Sequence, residues 1–340
     1  MPAEWERHKA TWIGWPHILS DWPGKFAAIP WVFGEIVRRI SAGESVRILA
    51  ESNHEAKARK LLKRIGVDFA AIEFFRIPTD RGWTRDSGPI FARSVIDPRS
   101  AILRFRFNGW GKYPNWKKDA RVPERAAMKL RMPLVDVKQN DKPVTLEGGS
   151  IDVNGNGSLL TTEECLLDPK VQVRNPGFTK KDYEEVFATY LGIRNVVWLG
   201  KGIAGDDTHG HVDDLCRFVN GDTVVLCSEK KSGDPNYRPL QENRERLEGM
   251  RLENGSRVNV VSLPMPDPLI FDRQRLPASY ANFYIANAEV LVPTFNDSND
   301  RVALGILSEL FTDRPVIGIH AVDLVWGLGT IHCLTQQQPA

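Results

Sequence analysis

Apolar and polar positions along the chain alternate between two periods. Short runs rich in β-branched and apolar residues read as strands: "SVRILA", "PIFARSV", "AILRFRF", "NVVWLG", "DTVVLC" and "RVNVVSLPM". Between them, "WVFGEIVRRISAG", "HEAKARKLLKRIG", "KKDYEEVFATYLG" and "NDRVALGILSELFTD" space their apolar residues as one helix face does. The last has Ser298 or Asn299 as its expected N-cap. Gly43, Gly66 and Gly192 follow helices, where a C-cap belongs. Strands punctuated by helices predict an α/β class. No low-complexity tract divides the chain and no internal repeat is evident, so one compact domain over residues 1–340 is the simplest organisation.

Composition narrows the partners. The chain has 340 residues, 42% of them hydrophobic, enough for a core that needs no disulfide or metal staple. The 45 basic and 43 acidic residues leave a net charge of +2, which argues against nucleic acid as the main partner. The basic run "KARKLLKRIG" lies on the second helix and reads as a solvated face. "MPAEWERHKATW" opens with charges, unlike a secretion signal, and no apolar run reaches the ~18 residues of a membrane span. A cytoplasmic protein with reduced thiols and no membrane partner is expected. Cys165, Cys216 and Cys227 sit in apolar or strand-like contexts and read as buried, inert thiols.

Four segments carry candidate chemistry. In "GWTRDSGPIF", Asp86 precedes a Ser-Gly-Pro turn, and taken alone it reads as an acid bonding that turn's backbone. In "TLEGGSIDVNGNGS", Asn154 to Gly157 reads as a hairpin turn, which leaves Glu147 and its Gly-Gly unexplained. Paired glycines let a backbone come close to something. "GDDTHGHVDDLC" crowds two histidines among carboxylates; if the segment is extended, His209, His211 and Asp213 share a face and suggest a metal site. Against that, His8, His17, His54, His320 and His332 form no second cluster to complete a ligand set. "WGLGTIHCLTQQQ" places Cys333 among glycines and polar residues near the last residue, where a lone thiol is ordinarily surface filler. With a sequence-distant His, Glu and Asp it fits a Cys–His nucleophile instead.

One nucleophile, one imidazole and three carboxylates suit a guanidinium. That group is planar and permanently cationic, and two carboxylates can hold it flat by forked N–H bonds and offset its desolvation. A thiolate can then reach the central carbon, its pKa lowered by the bound cation and a neighbouring imidazolium. A third carboxylate can orient the imidazole.

These residues resemble the agmatine deiminase and bacterial (Porphyromonas-type) peptidyl-arginine deiminase family of the guanidino-group-modifying superfamily. The likeness runs through "MPAEWERHKATWIGWP", "WTRDSGP", "LEGGSI", "LLTTEECLL", "GHVDD", "LPMP", "SYANFYIANAEVLVPTFND" and "IHCLTQQQP". It implies a five-bladed α/β-propeller of ββαβ-type modules around a central site. It implies Cys333 as nucleophile, His211 as general acid/base and Glu147 as its supporting acid. Asp86 and Asp213 match the pair that grips the guanidinium, and Trp83 a wall beside the substrate's stem. The implied substrate is a small guanidine, with agmatine favoured and N-carbamoylputrescine and ammonia as products. No metal or organic cofactor is implied, and a homodimer is common for such enzymes. The chain departs from the pattern at His209, Asp214, Trp326, Leu328 and Thr330. Three other readings stand beside this one: the same chemistry on peptidyl-arginine or another guanidine, a metallohydrolase built on His209, His211 and Asp213, and a guanidine-binding protein without catalysis.

Overall fold

The computed structural model describes residues 1–94 and 100–340. Val95, at the end of the expected strand "PIFARSV", lies outside the described residues; the strand spans Ile90–Arg93.

Five sheets share one plan. Each begins with an antiparallel pair and gains a parallel partner across a helix, because parallel strands need a crossover. Ile90–Arg93 pairs antiparallel with Ser100–Arg104, which lies parallel to Leu134–Asp136 beyond the helix Val122–Leu130. Asp152–Val153, Ser158–Thr162 and Asn195–Leu199 repeat the plan across the helix Lys180–Val186. So do Cys216–Phe218, Thr223–Ser228 and Asn259–Pro264 across Tyr237–Gly249. Tyr284–Ile285, Val290–Thr294 and Val316–His320 do so across Ser298–Leu310. The remaining sheet joins the chain's two ends. Thr335–Pro339 runs antiparallel to His8–Gly14, which lies parallel to Ser45–Leu49, itself parallel to Ile72–Phe75. The repeat is therefore structural. It was invisible in the sequence because the modules differ in helix length and connecting loops while sharing only a pattern of pairing.

Several expectations shift. The helix N-cap near residue 298 is Asp297, which forms a capping box with Asp300. Gly66 (φ +78°) and Gly192 (φ +72°) take the left-handed conformation expected after a helix. Gly43 does not; a Cβ there would lie 2.8 Å from Ala288, so close packing is the reason for glycine. The helix predicted over "KKDYEEVFATYLG" ends in a wider turn over Phe187–Leu191. On the basic helix Ser52–Arg64, Ala58 and Leu62 are buried and Lys57, Lys60, Lys63 and Arg64 face solvent.

The largest buried cluster takes residues from Ile13 to Leu334. The C-terminal glutamines are buried as well. The Gln337 side-chain oxygen accepts from Arg85 Nη1 at 2.7 Å, and that of Gln338 accepts from Trp12 Nε1 at 3.2 Å and from Arg47. Cys333 is thus held two residues before a strand that pairs along its length with His8–Gly14. Among the described residues, no helix is long and apolar enough to cross a membrane.

Candidate active site

The site is assembled from short irregular segments at the ends of strands. Trp83 leads into the single helical turn Thr84–Ser87, which carries Asp86. Gly88 ends that turn; a Cβ there would lie 2.2 Å from the Thr84 carbonyl oxygen. Asp86 does accept a backbone N–H, but a distant one. Its Oδ1 takes the Gly149 N–H at 3.0 Å, and its Oδ2 takes the indole N–H of Trp110 at 2.8 Å. The Gly-Gly after Glu147 is now explained. A Cβ on Gly149 would lie 2.6 Å from His211 Nδ1, 2.9 Å from Asp86 Oδ1 and 3.0 Å from Asp213 Oδ2. A Cβ on Gly148 would lie 2.3 Å from the Arg85 carbonyl oxygen.

The segment around His211 is not extended as the metal reading supposed. His209 (φ +65°) and Gly210 (φ +92°) are left-handed, and Val212–Asp214 forms a 3-10 turn. His209 turns away and meets Asp168 Oδ2 at 2.9 Å. His209, His211 and Asp213 therefore do not form a ligand set. The buried groupings of ligand atoms among the described residues are Glu147 with Cys165 and His211, and Asp213 with Asp214 and Cys333.

His211 is fully buried and neither ring nitrogen has a hydrogen-bond partner. Asp86 Oδ1 lies 3.7 Å from its Nδ1 and Glu147 Oε2 lies 3.7 Å from its Nε2. Burial opposes its charge, yet Asp86, Cys165 and Glu147 together hold its pKa well above the ordinary histidine value. The surrounding acids thus favour the charged ring, and neither nitrogen is committed to a hydrogen bond. Glu147 is held in turn by Arg174, whose Nε lies 3.1 Å from both carboxylate oxygens. Burial alone would raise Glu147; Arg174 and His211 outweigh it and lower its pKa.

Cys333 stands on the short helix Ile331–Leu334, is 5% exposed and lines a cavity. A lowered thiol pKa is not built into the protein itself. Burial, then Asp213, Asp214 and Asp86, push the Cys333 thiol well above its ordinary value, against a bond from Asn282. That cavity, of about 210 Å³, is lined by Cys333, Asp86, Trp83 and Trp110 among others. His211 and Asp213 lie beneath its floor, fully buried. Gly329 keeps the floor open, since a Cβ there would lie 2.9 Å from the Trp83 ring and 3.2 Å from Cys333 Sγ.

Several residues here had no role in the sequence reading. His332 bridges two acids, with Nδ1 at 2.6 Å from Asp213 Oδ2 and Nε2 at 2.9 Å from Glu4 Oε2. Glu4 also receives Arg85, Arg217 and the Ile285 N–H, so the N-terminal segment is a structural hub. Asn282 donates to Cys333 Sγ at 3.0 Å and to Asp214 Oδ1 at 2.9 Å, while its own oxygen takes the Thr330 hydroxyl at 2.7 Å. Two of the departures, Asp214 and Thr330, thus meet on one amide that points at the sulfur. Removing that donor in Asn282→Ala should raise the Cys333 thiol pKa further and lower turnover about tenfold with little change in KM. The pH dependence of iodoacetamide alkylation measures the first effect.

The fold is α/β, built of ββαβ modules, and it gathers a thiol, a histidine and paired carboxylates at and behind one cavity. A family model described as Porphyromonas-type peptidyl-arginine deiminase matches residues 1–339. The chain belongs to that family. It is 35% identical over 373 residues to an agmatine deiminase of Medicago truncatula, covering 100% of this chain and 96% of that protein. It is 33% identical over 365 residues to one of Pseudomonas aeruginosa, covering 100% and 95%. The solved agmatine deiminase of Enterococcus faecalis superposes with a TM-score of 0.91 at 29% identity, covering 100% of this chain and 95% of that one.

Proposed function

We propose that residues 1–340 form one catalytic domain that hydrolyses agmatine to N-carbamoylputrescine and ammonia through a covalent adduct on Cys333. The observation that carries this reading is the cluster itself: a thiol opening onto a cavity lined by Asp86, with Asp213 and the unpartnered His211 ring buried directly behind them. The names of the similar proteins supply the substrate. The five ββαβ modules support a propeller with the site at its centre, since the site draws on segments from several of them. Four unbridged cysteines suit a reducing, cytoplasmic compartment, and a homodimer belongs to the same reading.

In the proposed reaction Asp86 and Asp213 grip the guanidinium and Trp83 walls its stem. The incoming cation reverses the balance at Cys333, and the thiol loses its proton to water. The thiolate forms a bond to the guanidinium carbon. His211, already protonated, gives its proton to the departing nitrogen; the C–N bond breaks, ammonia leaves and a thiouronium remains. His211 then takes a proton from water, whose oxygen attacks the same carbon; the C–S bond breaks, the remaining hydroxyl proton passes to the departing sulfur, and the ureido product is released with the Cys333 thiol restored. Glu147, braced by Arg174, stabilises the imidazolium in both half-reactions.

Asp86 gives this scheme a pH signature. Burial, with Asp213 and Glu147, raises its pKa to about 6 against the pull of His211. The ionised form is the one that binds a guanidinium. Below about 6, protonation of Asp86 should therefore cost kcat/KM a further factor of roughly ten per pH unit, beyond the slope set by the Cys333 thiol. Asp86→Asn should remove this limb and weaken guanidinium binding at least several-fold.

The direct assay incubates purified protein with agmatine, a peptidyl-arginine and free arginine, with and without a chelator. Ammonia and N-carbamoylputrescine from agmatine, unaffected by chelation, are expected. Consumption of peptidyl-arginine with agmatine untouched would overturn the substrate assignment, and loss of activity on chelation would restore the metal reading.

A further inference from the structure

Three acids line the cavity above Cys333: Asp86, Asp207 and Asp21. Two have a protein donor on each oxygen. Asp86 accepts from Gly149 and Trp110, and Asp207 binds Lys112 and the Tyr113 hydroxyl. Asp21 differs. Its side chain is 1% exposed; Oδ1 accepts from Arg81 Nη1 at 2.9 Å, and Oδ2 is buried with no partner. A buried carboxylate oxygen left unpaired is costly unless something occupies it part of the time.

Asp21 is held where a substrate tail would pass. It ends the turn Leu19–Asp21, one residue before Trp22. The Trp22 ring packs on Trp83, the wall of the guanidinium site, at 5.4 Å between centroids, and its indole N–H bonds the Leu324 carbonyl at 2.8 Å. Arg81 is committed as well, with its guanidinium 4.0 Å from the centre of the Tyr113 ring. It neutralises Asp21 in part, leaving the second oxygen to receive another donor. Burial raises the Asp21 pKa to about 6 despite Arg81 and His17 nearby, so its desolvation is not fully offset by the protein.

The geometry points to Asp21 Oδ2 as the seat for a cation at the far end of the substrate. The assignment rests on the deiminase reading and sharpens it: the preferred substrate is an alkylguanidine whose tail carries a second positive charge. A peptide backbone offers Asp21 no charge, and a free amino acid brings a carboxylate that it repels. Agmatine's ammonium fits the requirement.

Wild-type protein should be assayed with agmatine, with n-butylguanidine (the same chain lacking the amine) and with arginine, alongside Asp21→Asn checked for folding by circular dichroism. A charged hydrogen bond of this kind predicts that the wild type prefers agmatine over n-butylguanidine by about 10–100-fold in kcat/KM. In Asp21→Asn that preference should shrink to within about threefold, chiefly through a higher KM for agmatine. An undiminished preference in the variant would overturn the assignment. So would equal turnover of agmatine and n-butylguanidine by the wild type, an outcome that leaves the deiminase reading standing and decides the matter even if the variant folds poorly. Turnover of no guanidine by the wild type would instead overturn the deiminase reading, and the Asp21 seat with it.

Discussion

Cys333→Ser should lower kcat by about 10,000-fold or more, since losing a catalytic nucleophile leaves only binding and electrostatics to act. Serine fits the space, because only one atom changes in a buried position next to Gly329. The groups proposed to bind the guanidinium, Asp86 and Asp213, are untouched, so the dissociation constant for agmatine should stay within a few-fold of wild type. Calorimetric titration beside a steady-state assay separates the two quantities. A serine variant that kept a tenth of the activity would remove the thiol from the mechanism.

The second large effect lies far from the reacting atoms in sequence. Glu4→Gln should cost about 3–5 kcal/mol of stability, because truncating one partner of a buried ionic network leaves the others uncompensated. Glu4 is 4% exposed and accepts from Arg85, Arg217, His332 and the Ile285 N–H. Glutamine keeps one acceptor and turns an NH₂ group toward donors. At ~2.1 cal/mol/K of unfolding entropy per residue, the expected loss lowers Tm by roughly 4–7 °C. Burial would raise the Glu4 pKa, but Arg217, His332 and Arg85 hold it well below its ordinary value of 4.5. A depressed carboxylate adds stability that is complete above pH 4.5 and fades as the pH falls below that. The variant should lack this acid-side loss. Thermal melts of both proteins from neutral to acid pH measure the gap, and equal Tm values throughout would refute the hub role.

That hub marks the boundary of what the sequence reveals. Apolar runs located the longer strands, because a strand such as Thr223–Ser228 is buried along nearly its whole length. Asp152–Val153 and Tyr284–Ile285 are too short to carry a period. The residues of the site were visible as unusual clusters, and Gly148-Gly149 as a point of close approach. What approached it was not visible, since Asp86 comes from one distant segment and His211 with Asp213 from another. Glu4 and Asn282 fell within motifs of the resemblance but, like Arg174, showed no role, since each has its partner far along the chain: Arg217 for Glu4, Glu147 for Arg174 and Cys333 for Asn282. The histidine cluster misled in the opposite sense. Alternate spacing suggested a shared face, and left-handed turns at His209 and Gly210 send His209 to Asp168 instead.

The decisive measurement is mass spectrometry of intact protein quenched in acid within the first turnover on agmatine, followed by peptide mapping. The account predicts a transient amidino adduct carried by Cys333 and by none of Cys165, Cys216 or Cys227. Full turnover with unmodified protein at every quench time, or label on a different thiol, would contradict it.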